Sequence, residues 1–202
     1  MEERQKKIIF LKGKKVNLRP LRKATDFESC LRWINDCEVN QYLATYLPMS
    51  EQKEEEWFDK TSKSSDNIVF AIEVSDVLNG GMPIGLIGLH NINWKDRTAV
   101  TGAVIGEKEY WNQGYGTDAK MLILEYAFNT LNLHKICSSV VEFNKRSLQY
   151  NLHCGYKLEG TERKQVFKRG RYWDKYILGV FKNDWLPVWR TYQKTGKVKE
   201  KI

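Results

Sequence analysis

One short segment limits the fold more than any other: Asn112-Gln113-Gly114-Tyr115-Gly116-Thr117, set between a strand and a helix. Upstream, residues 98–105 are β-branched and apolar and stop at Gly106, the pattern of a buried strand. Downstream, Ala119, Leu122, Ile123, Tyr126, Ala127 and Leu131 keep the three-and-four spacing of an amphipathic helix. Gly114 and Gly116 let the backbone approach a ligand and turn its N–H groups outward. The helix adds unpaired N–H groups and the positive end of its dipole. Such a loop makes an anion site, most naturally for phosphate. The competing reading is a helix start with two glycines and no ligand.

The rest of the chain arranges itself around this unit. Residues 15–21 (KVNLRPL) alternate and end near a proline, predicting a first strand. Thr25 or Asp26 can cap a helix carrying Phe27, Cys30, Leu31 and Ile34, which Asn35-Asp36 breaks. Ser50 can cap a polar helix that buries Trp57 and Phe58, and residues 68–74 form a strand. A turn at Asn79-Gly80-Gly81-Met82-Pro83 leads into a return strand over 84–92, and Asp96-Arg97 turns into the strand at 98. Three strands in a meander are antiparallel. After the long helix come a strand at 135–141, a short helix capped by Asn144 and closed by Gly155, and a final hairpin. Its turn is Lys168-Arg169-Gly170-Arg171 and its return strand spans 172–181; Asp184 then opens a last helix with Trp185 and Trp189. This order predicts a mixed α+β layer, helices on a central, mostly antiparallel twisted sheet of about seven strands.

At 202 residues the chain reads as a single domain, 1–202, with a core over about 14–185 and a basic tail over 194–202. Its 42% apolar content and seven Trp support a folded core. No apolar run approaches a membrane span, and the charged start MEERQKKIIFLKGKK is no secretory signal, so a cytoplasmic location is expected. Cys30, Cys37, Cys137 and Cys154 lie far apart and read as free thiols, and no metal set is recognised. The net charge of +8 favours anionic ligands. Nucleic acid is not the expected partner, because no recognised nucleic-acid motif accompanies the charge.

Gly114-x-Gly116-x-x-Ala119 also fits a dinucleotide fingerprint, with Glu142 in the place of its ribose-binding acid. That fingerprint needs its glycines directly after a strand of a parallel βαβ unit. Here residues 106–113 intervene and a meander precedes them. No Lys-Ser or Lys-Thr follows, so the Walker pattern is absent as well.

The stretch VIGEKEYWNQGYGTDAKMLILEYAF resembles the coenzyme-binding motif of the GNAT acetyltransferases, whose loop reads Q/R-x-x-G-x-G/A. Trp111 stands in place of the Gln or Arg. LRPL, WINDCEV at residues 33–39, NKRSLQYNLHCGYKLEG at 144–160 and the YILGVFKNDW ending are similar to the branch containing ribosomal-protein N-terminal and small-amine (spermidine or amino-sugar type) acetyltransferases. The resemblance covers roughly residues 14–185. It implies acetyl-CoA as donor, a small-molecule or protein amine as acceptor, and a GNAT fold. The amides of Asn112, Gln113, Gly114, Tyr115, Gly116 and Thr117 would hold the pyrophosphate. The strand end at Val104 and Ile105 would pair with the pantetheine arm, which Asn144 would also reach, unless Asn144 is a plain helix cap.

Direct attack of an amine on a thioester needs a base for the amine, donors for the oxyanion and a proton for the departing thiolate, but no enzyme nucleophile. Many relatives place a Tyr acid seven residues after the Asn; here that position is Asn151, and Tyr150 lies about 100° around the helix from it. Ser147 is the candidate donor near the sulfur. Base candidates are Glu38, Glu107, His90 and Glu142, with Glu38 favoured because WINDCEV borders the family's acceptor pocket. The many aromatics are compatible with a homodimer.

Overall fold

The computed structural model describes residues 8–75 and 82–198. The turn expected at Asn79-Gly80-Gly81 and the last residues of the tail lie outside them. Among the described residues eight strands form one sheet in the order β1-β2-β3-β4-β5-β6-β8-β7, one more than expected, because Leu11–Lys12 adds a short edge strand, β1, beside β2 (Val16–Pro20). The meander is β3 (Ile68–Val74), β4 (Pro83–Asn93) and β5 (Thr98–Ile105), antiparallel throughout. β5 pairs in parallel with β6 (Lys135–Val141). β6 pairs with β8 (Arg171–Phe181), the return limb of the hairpin begun by β7 (Lys157–Lys168). Arg169 and Gly170, both at positive φ (54° and 75°), make the tight turn between them.

The two faces of the sheet carry different helices. One face packs α4 (Tyr115–Glu125), continued by a wider turn over Tyr126–Thr130, together with α5 (Lys145–His153) and α6 (Lys182–Thr195). The main core lies here, with Leu18, Ile87, Leu89, Met121, Ile123, Phe128 and Trp185 fully buried. α6 runs ten residues beyond Trp185 and brings Trp189 and Tyr192 onto this core, so Lys194 is helical rather than part of a tail. The other face carries α1 (Lys23–Asn35), the single turn α2 (Cys37–Asn40) and α3 (Glu51–Ser62) over a smaller core of Cys30, Trp33, Val39 and Phe58.

α4 begins four residues before the apolar stripe, at Tyr115, with Gly114 as its N-cap at φ 84°. Only glycine holds that left-handed conformation without strain, which is why the loop ends and the helix begins there. The helix is buried all round from Asp118 to Leu124. Asp118 earns its burial by accepting from the backbone N–H of Lys15 (2.5 Å) and Val16 (2.8 Å) and from the Tyr192 hydroxyl. It ties α4 to the first long strand and to the last helix. The four cysteines are free thiols. Among the described residues, no helix is long and apolar enough to cross a membrane.

Candidate active site

β5 and β6 pair only between Thr98–Val100 and Lys135–Cys137. Both strands run on, to Ile105 and Val141, without pairing further. The sheet therefore opens between them, and a cavity of about 800 Å³ fills the opening. Its lining reaches both faces of the sheet: Lys120, Ser147 and Tyr150 from α4 and α5, and Val39, Tyr42 and His90 from the side of α2.

The strand edge follows from the hydrogen bonds. Gly106 N–H donates to Ile84 O (2.8 Å), on the β4 side. With Gly85 opposite Ile105 and Leu86 opposite Val104, the alternation of an antiparallel ladder turns the peptide groups of Ile105 and Ala103 toward the opening. Val104 spends its peptide on β4 and lines the cavity with its side chain. Trp111 Nε1 donates to Ile105 O at 2.7 Å, occupying one lone pair of that carbonyl. The Arg146 guanidinium lies 4.3 Å over the Trp111 ring. Trp111 thus closes over the strand end, where the resembling motif carries a polar donor.

The glycine loop is built for an anion. Asn112 (φ 61°) and Gly114 (φ 84°) are left-handed. No side chain caps α4, and its first backbone bond runs from Asp118 N to Gly114 O. The N–H groups of its first turn are therefore open to a ligand, and the positive end of the dipole lies behind them. Lys15 Nζ, 2.6 Å from Gln113 O, adds a cation beside the loop. Asn112, Gly114, Tyr115, Gly116 and Thr117 line the cavity; Gln113 does not, and its side-chain amide donates to Glu109 O. These features fit a pyrophosphate.

Asn144 and Ser147 also line the cavity. Asn144 Oδ1 accepts from Ser147 N at 3.1 Å, so the cap exists, and the Asn144 amide nitrogen is left for other use. The four base candidates separate clearly. Glu38 is outside the lining; its exposed carboxylate pairs with Lys108, which also pairs with Asp36 at 3.0 Å. α2 turns Val39, the next residue, into the lining instead. Glu107 is bound by Arg32 and by Trp33 Nε1 (3.1 Å), and the Arg32 bond holds its pKa below the ordinary value. Glu142 is not in the lining. His90 is, half-buried, and burial holds its pKa below 6.5, so it is neutral at pH 7 and able to accept a proton.

One polar lining residue, Lys120, was not singled out from sequence; it shares the cavity with Tyr150 and Asn151, which were. Lys120, only 1% exposed, donates to Thr101 Oγ1 at 2.7 Å and lies 5.0 and 5.1 Å over the rings of Tyr150 and Tyr156. The Tyr150 hydroxyl is buried with no hydrogen-bond partner among the described residues. The signal for Lys120 was present: a lysine inside the apolar run AKMLIL, on a helix too apolar to have a solvent face. Asn151, at the family's Tyr position, is buried and donates to Ser147 O (2.8 Å). Among the described residues, no group of three or more His, Cys, Asp or Glu side chains could hold a metal ion.

Comparison with known proteins agrees with this geometry. The acetyltransferase (GNAT) domain family matches residues 15–157. The chain is 31% identical over 166 residues to spermidine N(1)-acetyltransferase of Vibrio cholerae, covering 77% of this chain and 90% of that one. It is 26% identical over 184 residues to the enzyme of the same name from Escherichia coli K12, covering 89% and 93%. The crystal structure of spermidine N-acetyltransferase from Vibrio cholerae in complex with CoA and spermine is similar with a TM-score of 0.77 at 26% identity, over 85% of this chain and 98% of that one.

Proposed function

The chain belongs to the GNAT acetyltransferase family, and on that premise we propose that its acceptor is the primary amine of a small polar molecule of the amino-sugar kind, with no further cationic group. It is an acetyl-CoA-dependent N-acetyltransferase of small amines. The observation that carries the finer reading is the charge of the cavity. Among the described residues its lining contains no Asp or Glu, while Lys120, Arg146, Lys168 and Lys175 are all in it. An acceptor with several ammonium groups needs carboxylates to replace the water it loses, and this lining supplies none. Tyr42, Tyr46 and Phe167 add aromatic surface to the lining, a surface suited to a sugar's apolar side.

The same wall argues for a small acceptor over a peptide. Lys168 Nζ donates to the carbonyls of Asn40 (3.1 Å) and Leu43 (2.5 Å), tying the β7–β8 hairpin to the loop after α2. That strap roofs the acceptor side. A polyamine is the second reading, favoured by the relatives named above.

Coenzyme A supplies the acetyl group as a thioester. The open amides from Gly114 to Thr117 and Lys15 would hold its phosphates, and the Ile105 and Ala103 edge would orient its amide arm. His90, neutral and in the lining, takes the amine's proton in this reading, where Glu38 was expected to. Ser147 and Asn144 stand on the α5 wall as polar contacts for the arm. No enzyme nucleophile is used; Cys154 is fully buried, and burial pushes its thiol up to about 12. We take residues 1–202 as a single cytoplasmic domain, with a homodimer supported by the exposed Phe167 and Tyr172 rings at the hairpin tip.

Thiol release from acetyl-CoA, screened with glucosamine and spermidine as acceptors, tests the acceptor. A kcat/KM for glucosamine at least roughly tenfold above that for spermidine supports it, a difference of about 1.4 kcal/mol. The reverse order would overturn the single-amine reading in favour of the polyamine.

A further inference from the structure

We propose that Lys120 is the acid of this active site, delivering a proton from Nζ to the sulfur that leaves the thioester. The inference rests on the acetyl-transfer reading and gives the proton to Lys120, where the sequence offered Ser147 as the donor near the sulfur.

The geometry is specific. Lys120 lies on the second turn of α4, the helix whose N-terminus forms the anion loop. It points at the place where β5 and β6 cease to pair, since its bond is to Thr101, the residue after the last paired position, Val100. Its side chain is buried yet lines the cavity. An ammonium has three donors; among the described residues only one is used, on Thr101 Oγ1. The groups facing it are Thr101 on β5, Tyr150 and Cys154 on and just after α5, and Tyr156 before β7. None is a carboxylate. Lys120 is therefore a buried cation with donors to spare and no counter-ion, aimed into a site that binds an anion. The negative charge that develops on a departing sulfur would complete it.

Tyr150 is the rival acid, and burial decides against it. Desolvation pushes its phenol well above 10, so it holds its proton too firmly. The same desolvation pulls Lys120 down to about 7, the Cys154 thiol weakly opposing. A donor matched to working pH is the more effective one. The step balances as follows. The C–N bond forms and the C–S bond breaks; the Lys120 proton goes to sulfur; the amine's surplus proton goes to His90 and on to water. Lys120 regains a proton from solvent before the next turnover.

The test reads protons before it reads rate. Calorimetry of coenzyme A binding at about pH 8, in buffers of different ionisation heat, counts the protons taken up on binding. In the unsubstituted chain the anionic ligand raises Lys120 and draws in a proton; Lys120→Met, similar in length and apolar, should lose that uptake while still binding. Its kcat should fall by roughly 100-fold, the contribution typical of a positioned acid. Thr101→Val, which keeps shape but removes the hydroxyl, should move the alkaline limb of kcat to lower pH, because the charged form loses its partner. It serves also if Lys120→Met does not fold. Equal proton uptake in the parent and Lys120→Met, or an unmoved alkaline limb in Thr101→Val, would overturn the inference. Thiol release by the unsubstituted chain checks the acetyl-transfer reading separately.

Discussion

Among the described residues two cations are buried, and they are held in opposite ways. Arg19, 0% exposed, meets Asp26 in a two-pronged pair (2.7 Å on each arm) and Glu73 through Nε. Lys120, 1% exposed, meets a hydroxyl and two aromatic rings. Arg19 joins β2, β3 and the start of α1, where Asp26 also accepts from Arg22 N (2.8 Å). Its charge is neutralised within the fold and is no longer available to anything else. Lys120 joins nothing by charge and faces a cavity. Burial alone therefore does not mark a functional cation; burial without a counter-ion beside an anion site does.

The comparison breaks first at Arg19. Arg19→Met leaves two buried carboxylates without their guanidinium, which costs about 3–5 kcal/mol. For a chain of this size that lowers Tm by on the order of 10 °C. Calorimetric melting checks it; a change of under about 1 kcal/mol would mean that the triad is no more than a surface-type pair.

Lys120→Met should act in the other direction and with a pH signature. Folding lowers the Lys120 pKa from 10.5 to about 7. Between those values the unfolded chain binds more protons, so folded stability rises with pH. Above both, the amine is neutral in either state and burial no longer penalises its charge. Lys120→Met should therefore stabilise the ligand-free chain most below pH 7, with the gain shrinking toward pH 10. A gain independent of pH would show that Lys120 carries its charge at no cost, and would erase the contrast with Arg19.

What could be read from sequence divides along the same line. The anion loop is a local object: two glycines, a helix start and an apolar stripe specify it without reference to the rest of the chain. The meander, the Asn144 cap and the Arg169-Gly170 turn are local too, and each stands where its residues predict. The floor of the cavity is not local. It exists because β5 and β6 part after Val100 and Cys137, and because α5 rotates Tyr150 over Lys120. Neither the parting nor the rotation leaves a mark in one segment. Glu38 shows the converse: the segment WINDCEV does border the cavity, but a single helical turn decides which of its residues faces in, and that residue is Val39.

The smallest expected effect sharpens this last point. Glu38→Gln removes a charge that Lys108 shares with Asp36 at the surface. Lys108 keeps Asp36, water replaces the lost contact, and salt already screens such pairs. The carboxylate touches no part of the cavity, so kcat and KM for any acceptor should stay within about twofold of the parent. His90→Gln, made alongside, keeps the size of a lining side chain but cannot accept a proton at neutral pH, and should lower kcat by roughly 100-fold. If Glu38→Gln were the damaging change and His90→Gln the silent one, the base would lie with the exposed α2 carboxylate. The acceptor would then have to reach the thioester from the α2 surface, outside the cavity lining.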